Sequence, residues 1–87
     1  MRKELTNALR RYFCREVFIT RTTQNLTQSA MAERLMMADR SYIDLDHGKI
    51  SCSGLTLALY LIYCCDNPTA FLHGLHDELE EVIHHVA

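Results

Sequence analysis

Cysteine and histidine are the residues of this sequence best suited to metal binding. The 87 residues include four cysteines and five histidines. A turn at 67–68 would bring Cys64 and Cys65 near His73 and His76. Their spacing matches neither a zinc finger nor a zinc ribbon. We therefore expect a solvent-exposed face of histidines and no metal site.

The same residues form no recognisable catalytic arrangement. Cys14 or Cys52 paired with a histidine would supply a nucleophile and its base. No signature of cysteine catalysis surrounds either residue, and a domain of this size leaves little room for a substrate pocket. We expect a protein that is not an enzyme, that uses no cofactor and that takes no small-molecule substrate.

The apolar segments are too short for a membrane span. The longest apolar run, 57–65, falls well below the ~20 residues needed to cross a bilayer. The start of the chain lacks the pattern of a secretory leader. We expect a cytoplasmic protein with no membrane partner, whose four cysteines are reduced thiols.

Charge is distributed unevenly along the chain, although the formal net charge is only −2. Residues 1–25 contain six basic and two acidic side chains. Residues 52–87 contain five acidic side chains and neither Lys nor Arg. A basic amino-terminal part suits a polyanionic partner, which would repel the acidic part.

Apolar spacing and capping residues predict a single all-α domain over 1–87. The five predicted helices cover about 3–22, 28–36, 39–48, 54–65 and 68–86. Thr27, Ser53 and Asn67 stand at the N-cap positions of the second, fourth and fifth helices. Gly48 ends the third helix as a C-cap residue.

The second and third helices form a helix-turn-helix at about 26–48. Two short helices joined by a tight turn are the geometry that lays a recognition helix in the major groove of DNA. The segment resembles the lambda-repressor-like (Cro/repressor, or XRE) family, with its "LTQ" entry, "A-x-x-L" first helix and "I/L-E-x-G-K" exit. Asp46 stands where that family has Glu. The matching residues are Leu26, Thr27, Gln28, Met31, Ala32, Leu35, Met37, Tyr42, Leu45, Asp46, Gly48 and Lys49.

This resemblance implies a transcriptional regulator that binds double-stranded DNA through a recognition helix at about 39–47. By position, Gln28 corresponds to a residue that contacts a phosphate at a helix N-terminus. For the recognition helix and the residue beyond it, the resemblance implies contacts with bases and phosphates. The residues at these positions are Asp39, Arg40, Ser41, Asp44 and Lys49. From the charge pattern, we expect Arg11 on the first helix to add a phosphate contact.

Negative charge on the recognition helix leaves an alternative open. Asp39 and Asp44 lie on the face that should approach a polyanion, and 26–51 contains three basic and four acidic residues. The alternative is a non-catalytic protein-interaction module, antitoxin-like or regulatory, that uses the same fold without binding DNA.

Apolar surface in the last two helices predicts a homodimer. The fourth helix is apolar on every face, and burying all of its faces within one small subunit is difficult. The fifth carries a helix-packing stripe of Leu72, Leu75, Leu79, Val82 and Val86. We predict that two copies associate through an interface formed by the C-terminal helix together with the fourth helix. The resulting C2 dimer would present two recognition helices to DNA. The sequence also allows the stripe to close the core of one subunit.

Overall fold

The computed structural model describes residues 1–86, with only the backbone of Val86. These residues form five α-helices and no strand, so the predicted all-α class is confirmed. The helices are α1 (Arg2–Thr23), α2 (Gln28–Arg34), α3 (Asp39–Asp46), α4 (Gly54–Leu59), which continues as a π-helical turn (Tyr60–Cys64), and α5 (Pro68–Val86). None of these helices is long and apolar enough to cross a membrane.

Aromatic rings from three parts of the chain form the centre of the core. The ring of Phe13 on α1 stands edge-on to the rings of Tyr60, at 5.2 Å, and Phe71, at 6.3 Å between centroids. Tyr12 packs edge-on to Phe71 at 5.1 Å, and its hydroxyl donates to the Phe71 carbonyl at 2.8 Å. Such pairs add to the stabilisation from burial, so α1 is the element onto which the π-helical turn and α5 pack.

The first three helices end in the same way, with one residue in the left-handed region. Asn25, Met36 and Gly48 have φ values of 57°, 55° and 73°. Each follows a C-cap residue, and the next amide in the chain bonds back to a carbonyl five residues earlier, as in a Schellman motif. Asn and Gly adopt this conformation readily, whereas Met does so at a cost.

Three helix ends differ from the sequence-based expectation. We predicted the third helix to reach Gly48, but α3 ends at Asp46, with His47 as its C-cap residue. We predicted the second helix to reach Met36, but its left-handed conformation ends α2 at Arg34. We predicted one regular fourth helix to Cys65, but its last part is π-helical. There the Cys65 amide donates to the Tyr60 carbonyl at 2.8 Å. The side-chain amide of Gln24 donates to the Cys64 carbonyl at 3.3 Å, at the end of this turn.

The last helix begins as predicted and packs along α1. The Asn67 side chain accepts a hydrogen bond from the Ala70 amide at 3.0 Å, which makes it the N-cap. Of the predicted stripe, Leu72 is exposed and Leu75 packs against the core. Leu79 lines a shallow groove with two leucines of α1. Part of the stripe is therefore used within one chain, and Val86 lies outside the described side chains.

Gly74 lets α5 approach Tyr12. A Cβ atom at Gly74 would overlap the Tyr12 hydroxyl, which belongs to a rigid ring in the core. We expect Gly74→Ala to lower the free energy of unfolding by about 2–3 kcal/mol, the cost of overpacking a core. At an exposed helical site, replacing glycine by alanine would raise the free energy of unfolding by about 1 kcal/mol. Urea denaturation followed by circular dichroism measures the difference.

Gly54→Ala is the matched control for this prediction. No atom lies within 4 Å of a Cβ placed at Gly54, in the first turn of α4. We expect this variant to be as stable as the wild type or more stable. Equal effects of the two substitutions would contradict the steric role of Gly74.

Met36 should be replaceable by glycine with a gain in stability. Its side chain is 78% exposed, so little packing is lost, and glycine removes the left-handed strain. We expect Met36→Gly to raise the free energy of unfolding by about 0.5–1 kcal/mol, measured by urea denaturation. Met37→Gly is the control, because Met37 packs against the core. Met37→Gly should lower the free energy of unfolding. If Met36→Gly also lowers it, the left-handed conformation of Met36 is not a source of strain.

Candidate nucleic-acid interface

The helix pair α2 and α3 is held together by a buried apolar surface. The Thr27 hydroxyl accepts from the Ala30 amide at 3.0 Å, so Thr27 caps α2 as predicted. Residues 35–38 connect the two helices. The side chains buried between and beneath them are Met31, Ala32, Leu35, Tyr42 and Leu45. Ala32 is fully buried.

A buried carboxylate joins three elements at the base of this pair. Asp46 on α3 has only 4% of its side chain exposed, and Arg21 of α1 lies 3.5 Å from its Oδ2. The Gln28 amide donates to the same oxygen at 3.0 Å. The Tyr42 hydroxyl donates to Oδ1 at 3.2 Å. These four residues, the Asp46 network, connect α1, the start of α2, and α3.

The phenol of Tyr42 is a stable donor in this network. Burial, and then the neighbouring Asp46 carboxylate, raise the pKa of Tyr42 well above its ordinary value. The hydroxyl therefore stays protonated throughout the physiological pH range. An ion pair with additional hydrogen bonds is the form in which a buried carboxylate is tolerated.

The carboxyl end of α3 is also held by α1. The Arg10 guanidinium donates to the Gly48 carbonyl, and the Cys14 thiol donates to the Asp46 carbonyl at 3.0 Å. A cation beside the C-terminus of a helix is favourable because carbonyl groups give that end a partial negative charge. Burial, and then the Asp46 charge, raise the pKa of Cys14, so the thiol keeps the proton it donates.

The predicted contact residues of α3 lie on its outer side. Arg40 has 84% of its side chain exposed, and its Nε lies 3.9 Å from Asp44 Oδ1. Ser41 and Lys49 are exposed. Asp39 is exposed too, and its carboxylate accepts a hydrogen bond from the Ser29 hydroxyl at 3.0 Å. Of these five side chains, four are exposed and that of Asp44 is half-buried.

Two other predicted contact residues are engaged elsewhere. The Gln28 side chain is half-buried and bonded to Asp46, so a phosphate contact from its amide would require it to leave that partner. Arg11 is exposed but lines a groove between α1 and α5 together with Glu78 and Glu81. The structure therefore places Arg11 in a groove beside α5, and no residue of α3 lines that groove.

Pairing between α1 and α5 changes the meaning of the uneven charge distribution. Arg15 Nη2 lies 3.3 Å from Glu78 Oε1, and Arg11 shares the groove described above. Basic side chains of the first part of the chain therefore face acidic side chains of the last part. Around α2 and α3, the pairing of Asp46 with Arg21 leaves three basic and three acidic residues within 26–51.

Three structural roles were missed from the sequence, those of Arg10, Arg21 and the buried Asp46. Asp46 was noted only as a substitute for Glu in the family pattern. The spacing of Arg10 and Cys14, four residues apart on one helical face, was a usable signal that both meet the same neighbour. Nothing local to Arg21 indicates a partner 25 residues away.

The cysteines and histidines assemble no metal site among the side chains that the structure describes. No group of three or more His, Cys, Asp or Glu residues converges there. All four cysteines are free. Burial raises the pKa of Cys52 and Cys64, whereas an activated nucleophile needs a lowered thiol pKa.

Removing the charge of Asp46 should destabilise the whole domain. Asp46→Asn leaves the largely buried Arg21 without its counter-ion, so we expect a loss of about 2–4 kcal/mol in the free energy of unfolding. Asp44→Asn is the matched control: its pairing with the exposed Arg40 is loose, and the expected change is within about 0.5 kcal/mol. Urea denaturation measures both, and equal losses would show that Asp46 has no special structural role.

Comparison of the chain with models of protein families, with curated proteins and with solved structures finds no match.

Proposed function

We propose that this protein binds double-stranded DNA as a homodimeric transcriptional regulator of the lambda-repressor-like helix-turn-helix type. The observation that carries the proposal is the pair α2 and α3, joined by residues 35–38, with its inner side buried and its polar side exposed. In such a pair the second helix, here α3, enters the major groove. The entry at Thr27 and the exit at Gly48 follow the pattern of that family.

Arg40 is the side chain of α3 best suited to reading a base. A guanidinium binds the O6 and N7 atoms of guanine with two parallel hydrogen bonds. Arg40 is the most exposed of the paired basic residues, and at 3.9 Å its contact with Asp44 is easily exchanged for a base. Asp39 and Asp44 accept from cytosine N4 in the same scheme.

A recognition helix must be rigid to discriminate bases, and α3 is anchored at its carboxyl end. The Asp46 network, together with Arg10 and Cys14, connects that end to α1. Supporting hydrogen bonds of this kind keep a binding surface preorganised. We infer that the outer residues of α3 meet DNA with little loss of conformational freedom.

Affinity for the phosphate backbone should be low in one subunit. Non-specific binding comes from neutralising phosphates with Lys and Arg. The 26–51 segment offers Arg34, Arg40 and Lys49 against an equal number of unburied acidic residues. A dimer doubles these contacts on two half-sites, which is why the proposal includes pairing.

The second candidate is a non-catalytic module that binds a protein through the same surface. The balance of charge around α3 and the engagement of Arg11 and Arg15 with α5 favour it. Such a module needs no phosphate contacts and would tolerate Asp39 and Asp44 at its centre. The two candidates differ in whether duplex DNA binds at all.

Two substitutions on the proposed DNA face should act differently. After selection of bound sites from a random DNA pool, we expect Arg40→Ala to lower affinity for the selected site by about 1–3 kcal/mol and to relax preference at one base pair. Lys49→Ala should weaken binding to all sequences alike and reduce the salt slope by about 1. Fluorescence anisotropy over a range of salt concentrations measures both.

Two results would contradict these roles. If random duplex DNA shows no affinity even at low salt, the protein-interaction module is favoured. If Arg40→Ala weakens all sequences equally, Arg40 contacts phosphate and the base-reading role is wrong.

A further inference from the structure

The outer side of α4 and its π-helical turn is apolar and uncovered. Leu55, Ile62 and Tyr63 are 69%, 68% and 66% exposed, and Ala58 lies between them and is also exposed. We call these four residues the α4 outer face. Their spacing of three, four and one residues places them on one side of the helix. The opposite side, including Tyr60 and Cys64, is buried in the core.

This face is comparable in size to the largest apolar patch of a typical monomer. Three large side chains at about two-thirds exposure present on the order of 400 Å² of apolar surface. A patch of about 300–600 Å² is the largest that a typical monomer carries, and it is often functional. Tyr63 also lines an adjoining groove of about 540 Å³ with the apolar Leu26, Ala30 and Met36 and the charged Glu33 and Arg34.

The charges around the face indicate what covers it. Residues 50–65 include no Lys, Arg, Asp or Glu, so the α4 outer face itself is uncharged, and the two charges that line the adjoining groove, Glu33 and Arg34, are of opposite sign. A lipid surface is disfavoured because membrane-bound helices carry Lys and Arg on their polar side. None occurs from residue 50 onward, whereas α5 is acidic. An uncharged apolar face is suited to a second copy of itself, since a two-fold interface sets like residues near like.

The ends of this uncharged stretch favour one orientation. Lys49 precedes it and Asp66 follows it, and both are exposed. In an antiparallel pair of α4 helices, the Lys49 end of one copy meets the Asp66 end of the other. A parallel pair would set Lys49 against Lys49 and Asp66 against Asp66, which is repulsive.

We infer that two copies of this chain pair antiparallel through the α4 outer face. Pairing buries the apolar side of α4 that is exposed in a single subunit. The inference rests on the homodimer of the proposed function and names the surface that forms it. It moves the centre of the interface from the α5 stripe, part of which packs on α1, to α4. Because the experiments contain no DNA, their failure is distinguishable from a failure to bind DNA.

Sedimentation equilibrium of the full chain tests the surface. We expect a reversible wild-type dimer, and Ile62→Asp should raise its dissociation constant at least about tenfold by placing a charge in the interface. Leu72→Asp is the matched control, an exposed leucine of the α5 stripe, and should change the constant by no more than about twofold. Circular dichroism should show both variants folded, since both side chains are on the surface.

A monomeric wild type would overturn the inference, and so would an Ile62→Asp variant that pairs as well as the wild type. Loss of pairing in Leu72→Asp alone would assign the interface to the α5 stripe.

Disulfide cross-linking tests the orientation. Ala58 lies midway between Leu55 and Ile62, so an antiparallel two-fold axis passes close to it and brings its two copies within the ~7 Å that a disulfide spans. We expect Ala58→Cys to form a covalent dimer under mild oxidation. Ala70→Cys, at another exposed alanine, should cross-link no more than the wild type with its native cysteines. A parallel pair would also set Ala58 against Ala58, so Leu55→Cys decides the orientation: only a parallel pair brings its two copies within reach of a disulfide. Cross-linking of Leu55→Cys as efficient as that of Ala58→Cys would overturn the antiparallel arrangement, and cross-linking of Ala58→Cys no stronger than that of Ala70→Cys would overturn pairing through α4.

Discussion

The Asp46 carboxylate is buried where α1, α2 and α3 meet. Taking a carboxylate out of water costs several kcal/mol unless a counter-ion and hydrogen bonds replace the lost hydration. Here Arg21, Gln28 and Tyr42 supply them, each from a different part of the helical framework. The charge is therefore satisfied only when all three helices are in place. The outer residues of α3 owe their position to this requirement.

The first helix serves as the scaffold for both halves of the molecule. On one side Arg10 and Cys14 hold the carboxyl end of α3. On another, Phe13 packs against the aromatic rings of the π-helical turn and α5. A third side carries Arg15, which pairs with α5. Basic residues that suggest a nucleic-acid partner in the sequence thus have structural partners, and charge along a chain is a poor measure of charge on a surface.

Local features of the sequence predicted the helices well. Thr27, Ser53 and Asn67 cap the helices that follow them, and Gly48 takes the left-handed conformation expected of a C-cap glycine. Such signals lie within one turn of the helix they start or end, so they need no tertiary contact. The end of α2 was misjudged because a left-handed Met36 has no such signal. The π-helical turn after α4 was missed because it too has no local signal in the sequence.

By itself the sequence determined the number and order of the helices, the inner residues of α2 and α3 and the exposure of Arg40, since helical periodicity and capping are local. Only the tertiary structure decided which distant groups meet. It joined Arg21 to Asp46, turned Arg11 toward α5 and fitted Tyr12 against Gly74. It also left the outer side of α4 uncovered. These contacts depend on how the helices cross and on which of their faces pack together. The spacing of residues along one helix does not specify which face of another helix it will contact.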